Sequence, residues 1–224
     1  THRQLIRSSV DALEGVAEAI GQLQTKRLRG GNSVMQERLW NTCKGSPPTP
    51  KPEEHVSDEI LEAIETYFER FATTADREVS LYRRVLSKKA GGLPGDEVDI
   101  LFRVPAKGTV VGSPICIPIE VKLSHNPEAR TALRNQLYQR YMQHANTDFG
   151  VFVLVYMSSP GRKKGVKPLW KTPELARQLL QAQAEKILEE TAGNTAIRVL
   201  VLDASIPTAP KAPAPTERVK KQGR

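Results

Sequence analysis

Cysteine, histidine and aromatic residues are scarce in this chain of 224 residues, which holds two Cys, four His and 5% aromatics. Cys43 and Cys116 are too few and too far apart for a disulfide framework or a zinc ribbon, so structural zinc and thiol redox chemistry are poor candidates. Long apolar runs are missing as well. No window approaches the ~18 uninterrupted apolar residues that a membrane-spanning helix requires, and Thr1-His2-Arg3 leads into no signal-peptide core. A soluble, intracellular, cytoplasmic protein without a membrane partner is expected. There is no glycine loop of the P-loop or dinucleotide type. The first residue is not Met, and helical periodicity starts almost at once, so the chain is expected to be the C-terminal piece of something longer.

What the chain does have is a basic excess, with 33 Lys+Arg against 25 Asp+Glu for a formal charge of +8. A polyanion partner would fit that sign. The excess is uneven: residues 1–50 carry +3, residues 51–206 only +1, and residues 207–224 carry +4. The last stretch contains four prolines and almost no apolar bulk, which predicts a disordered basic tail. Pro47, Pro48, Pro50 and Pro52 crowd a second break and favour an extended connector over a helix. Three regions follow: an N-terminal helical extension and connector at 1–50, a folded domain at 51–206, and the tail at 207–224.

Apolar spacing predicts a helix over 8–29, with Ser9 placed to cap it, and a shorter one over 34–40. A third begins at Ser57, with Ile60, Leu61, Ile64, Tyr67 and Phe68 on one face. Strands are predicted at 78–86, 97–104 and 115–123, the last two joined by a loop too short for a crossover and therefore antiparallel. A helix over 127–145 opens with Asn126 as cap and Pro127 in its first turn. The apolar run 150–157 suits a strand buried on both faces. A basic loop, a helix over 173–190 and a strand over 196–202 complete a mixed sheet covered by helices on both faces.

Three polar side chains interrupt this apolar sheet. Glu120 and Lys122 alternate onto one face of their strand, while Ile119, Val121 and Leu123 take the other. If the 105–114 loop closes a symmetric hairpin, positions summing to 219 face each other, which sets Asp99 opposite Glu120. Two carboxylates opposed across a buried ladder repel unless a cation lies between them. Oxygen ligands without nearby His or Cys suit Mg²⁺, with Mn²⁺ able to substitute. Lys122 is placed to orient an attacking water or to stabilise charge developing on a phosphate.

Asp99, some twenty residues, then Glu120-Val121-Lys122 at the end of an apolar strand resembles the PD-(D/E)XK nuclease superfamily, with Val98 standing where the proline of the name would be. The resemblance covers residues 54 to about 203. Gln136 and Tyr141, one residue wider than QxxxY, resemble the extension that one branch carries on the next helix. The resemblance implies a restriction-endonuclease-like fold and metal-dependent phosphodiester hydrolysis, most simply of DNA. In it Asp99, Glu120 and the Val121 carbonyl hold Mg²⁺ and Lys122 serves the nucleophilic water. Members often add an acid from the preceding helix, and Glu54 or Asp58 at its start are favoured here, with Glu78 a further candidate. An effector role in bacterial defence or mobile-element biology follows by analogy.

Blander readings stand beside these. Asp99, Glu120 and Lys122 also suit a structural ion pair, and Gln136 and Tyr141 an amphipathic helix surface. Arg162, Lys163, Lys164 and Lys167 suit either phosphate contact or a solvated loop. His125 follows the key strand, but the pattern needs no histidine; His55 and His144 read as surface residues, and Trp40 and Trp170 as packing anchors. The rival function is a catalytically inactive nucleic-acid-binding or protein-interaction module of the same fold. A homodimer, or a larger assembly through the N-terminal helices, is the expected oligomeric setting. Removing Glu120 or Lys122 is expected to abolish cleavage and spare the fold.

Overall fold

The computed structural model describes residues 9–26, 33–42, 48–69, 80–82, 98–104, 115–159 and 167–206. Two short helices open it, α1 (Ser9–Thr25) and α2 (Val34–Arg38), followed by a two-stranded antiparallel ladder of β1 (Trp40–Asn41) and β2 (Thr49–Pro50) and then helix α3 (Glu53–Glu69). Five strands form the main sheet: β3 (Ser80–Tyr82), β4 (Ile100–Val104), β5 (Ile115–Leu123), β6 (Phe149–Tyr156) and β7 (Ala196–Asp203), in that spatial order. The β3–β4 and β4–β5 pairs are antiparallel, and β5–β6 and β6–β7 are parallel. The β4–β5 register pairs Ile100 with Ile119 and Leu101 with Pro118, the pairing of positions summing to 219 that a symmetric hairpin requires.

Strand alternation divides the core in two. Ile117, Ile119 and Val121 of β5 and Val151, Val153 and Val155 of β6 pack with α1 and α3. Phe152, Leu154 and Tyr156 point the other way, against a π-helix, Leu133–Met142, and helix α4 (Pro173–Glu190). Helices therefore cover both faces of a mixed sheet. No helix among the described residues is long and apolar enough to cross a membrane.

Three expectations change here. Helix α3 begins at Glu53 rather than Ser57: Pro52, with φ already near the helical value, gives its carbonyl to the amides of His55 (3.1 Å) and Val56 (3.4 Å), so the turn starts at the proline. The segment after Asn126 is a 3₁₀ turn, Pro127–Arg130, leading into the π-helix. Asn126 does cap it, accepting from the Glu128 amide at 3.0 Å. Helix α1 forms one layer of the main core instead of an appendage, because Leu13, Val16 and Ile20 bury against the same cluster as β5 and β6. Trp40 anchors the following segment, its indole donating to the Ala204 carbonyl at 2.7 Å from a site 2% exposed.

Candidate functional site

The site grows from a mismatch of strand lengths. Strand β4 begins at Ile100, opposite Ile119, while β5 continues to Leu123, so the amides of Val121 and Leu123 point to an edge where β4 offers no ladder carbonyl. A buried amide needs an acceptor, and carboxylates supply both. Asp99, the residue before β4, accepts from the Val121 amide through Oδ2 at 2.8 Å. Glu53, the first residue of α3, accepts from the Leu123 amide through Oε2 at 3.0 Å. Both charge-assisted bonds are stronger than the ladder bonds they replace. Asn126 holds Glu53 from the other side, its Nδ2 donating to Oε2 at 3.1 Å. The far end of α3 is fixed by Phe68, whose ring lies 4.6 Å from that of Phe102 on β4.

Glu120 and Lys122 occupy the face of β5 turned towards the π-helix, beside Phe152 and Leu154 of β6. Glu120 is fully buried and Lys122 6% exposed. Three carboxylates converge on the ammonium: Nζ lies 2.5 Å from Glu120, 3.1 Å from Glu53 and 4.0 Å from Asp99. The Glu120 contact is an ion pair without hydrogen-bond geometry, and neither of its carboxylate oxygens has a hydrogen-bond partner among the described residues.

Burial and crowding set the protonation of this cluster. Desolvation, followed by the charge of Asp99, pushes the Glu120 carboxyl well above the usual range despite Lys122. Asp99 is raised for the same first reason, opposed by Lys122 and the Val121 amide. Burial works to lower Lys122, but the charges of Glu120, Asp99 and Glu53 outweigh it and raise the ammonium above its ordinary value. Tyr141, on the π-helix and 8% exposed, is raised by burial and then by the charges of Glu120 and Asp99, which places it in the electrostatic reach of the cluster.

The sequence-derived residues separate accordingly. Asp99, Glu120, Lys122 and Tyr141 come together around the end of β5. The helix acid at the site is Glu53; Glu54 and Asp58 are exposed on the same helix. Had Pro52 been read as the first helical residue, Glu53 would have fallen in the first turn, so the signal was present. Gln136 turns away and donates to Glu128 at 3.0 Å, although in a helix bonded from i to i+5 it shares a face with Tyr141. Lys167 is exposed, and Glu78, Arg162, Lys163 and Lys164 lie outside the described residues. His125 is half-buried; His55 and His144 are exposed, and Trp170 is buried.

No group of three or more His, Cys, Asp or Glu side chains arranged to hold a metal ion occurs among the described residues. The donors nonetheless suit a hard cation. Glu120 brings two buried oxygens without hydrogen bonds, Asp99 lies beside it, and the Val121 carbonyl shares the edge to which its own amide points. The chain matches no protein-family model, no curated protein and no solved structure. The functional reading therefore rests on this geometry.

Proposed function

We propose that the protein is a metal-dependent nuclease of restriction-endonuclease-like fold, hydrolysing phosphodiester bonds, most simply in DNA. The observation that carries the reading is Glu120: a fully buried carboxylate crowded between a second carboxylate, Asp99, and the Lys122 ammonium. A site that binds a cation accounts for this crowding of acids in an apolar sheet. Asp99, Glu120 and the Val121 carbonyl would hold Mg²⁺, which when bound polarises a phosphoryl oxygen and acidifies a water ligand. The surrounding acids raise the Lys122 ammonium above its ordinary value, which suits it to placing the water and neutralising charge gathering on the phosphate. Glu53 and Asn126 hold the ammonium and the end of β5 in place.

One observation favours the rival reading of an inert module: Lys122 already occupies the centre of the acids and partly balances them. Incubation with linear, supercoiled and single-stranded DNA in Mg²⁺ or Mn²⁺ separates the two. Cleavage by the native chain and none by Glu120→Gln is the expected result; cleavage that persists in that variant would overturn the assignment.

A further inference from the structure

An open groove of about 650 Å³ lies between the 3₁₀ turn and α4. Its lining includes Arg130, Lys171 and Lys186, the apolar side chains of Leu175 and Leu179, and, among the described residues, no acid. Leu175 and Leu179 are 37% and 48% exposed on the face of α4 turned away from the core.

The groove wall is pre-formed. Arg130 donates to the Leu169 carbonyl at 3.1 Å, and the Tyr156 hydroxyl bonds the carbonyls of Trp170 and Lys171 at 3.1 and 2.9 Å. The Leu169 amide donates to the Ser124 carbonyl at 2.7 Å, two residues after Lys122. The wall is thus tied to the same end of β5 that carries the acids.

We infer that this groove binds an unpaired nucleic-acid strand, along a wall that is hydrogen-bonded to the end of β5 at Ser124. The choice of occupant rests on the nuclease reading above. Cations from three separate elements, with no acid among them, match a chain that bears one negative charge per nucleotide. Exposed leucines between those cations offer apolar contact to base faces, which a duplex keeps stacked inside itself and a single strand presents. Leu175 to Lys186 spans about 16 Å of helix, the length of a short stretch of strand.

The test is fluorescence anisotropy of a labelled 15-nucleotide oligo(dT) in EDTA, in the Glu120→Gln background so that binding is read without cleavage. Lys171→Glu with Lys186→Glu changes two exposed side chains, and Lys26→Glu, at the end of α1, is the control for charge reversal away from the groove. The double variant is expected to bind at least tenfold more weakly and to flatten the log–log salt dependence by about 1.4, or 0.7 for each lost phosphate contact on a single strand. Unlabelled duplex of the same length is expected to compete at least tenfold less well than single strand. Binding by the double variant equal to that of the Lys26→Glu control, equal competition by duplex, or binding of a labelled poly-glutamate peptide in place of the oligonucleotide would each overturn the inference. Groove-dependent binding by a chain that never cleaves would leave the groove standing and remove the nuclease reading, whereas Glu120-dependent cleavage with groove-independent binding would do the reverse.

Discussion

Glu120 is the residue on which stability and function pull apart. Its folded carboxyl binds a proton more tightly than an unfolded glutamate, so its contribution favours the fold below the unfolded value near ~4.3 and is lost as pH rises through the raised folded value. Glu120→Gln removes that loss while keeping size and shape. In metal-free buffer at pH 8 the variant is expected to be more stable by about 1–2 kcal/mol, a Tm gain of roughly 2–8 °C for a chain of this size, with the gap closing towards pH 4. Thermal melts across pH check this; a variant less stable than the native chain at pH 8 contradicts the reading of an acid that Lys122 only partly compensates. Lys122 behaves in the opposite way. Its removal leaves Glu120, Glu53 and Asp99 without their ammonium, so Lys122→Met is expected to cost about 3–5 kcal/mol. The expectation that this lysine can be removed without harm to the fold is replaced by that cost, and Glu120→Gln is the cleaner control. A denaturant melt of the lysine variant is the measurement.

Among the elements, the segment joining β5 to the π-helix carries the sharpest distinction. Asn126 has two duties: Oδ1 caps the 3₁₀ turn and Nδ2 holds Glu53. Aspartate caps as well as asparagine does but cannot donate. Asn126→Asp is therefore expected to keep the helix content, seen by circular dichroism, and to add a destabilisation that grows as pH rises, because a new carboxylate then faces Glu53. A pH-independent loss would mean that the cap alone matters. The strand register and the burial of β6 were legible in the sequence, since period-two alternation and a short hairpin leave few alternatives. The π-helix was not: Leu133, Leu137 and Tyr141 are four apart and fit an α-helix equally well, so periodicity is silent on an i to i+5 ladder. The close approach of that helix to β6 does leave a trace, at Gly150, where a Cβ would stand 2.9 Å from the Met142 sulfur.

At the scale of the molecule, prolines misled the division into regions. Four of them between residues 47 and 52 read as a boundary, yet β2 lies among them and pairs with β1, and α1 reaches past them into the central core. Burial settles membership more firmly than composition does: Val16 and Ile20 are fully buried against the sheet. Deleting residues 1–26 is expected to leave helical signal without a cooperative thermal transition, whereas a truncated chain that melts at the native Tm would show that α1 is dispensable. The candidate site was legible as a triad because its residues break an apolar pattern; Glu53 escaped because it reaches the site from a helix whose start was set four residues late. What unites the molecule is a crowded acid pair, Glu120 fully buried and Asp99 half-buried, that the fold tolerates at a cost, and the most direct test is a calorimetric titration with Mn²⁺ at pH 8. A single site is predicted in the native chain, binding more weakly as the pH is lowered because protons compete for the raised carboxyls of Glu120 and Asp99, and lost in Glu120→Gln. Absence of Mn²⁺ binding, or binding unchanged by that substitution, would contradict the account.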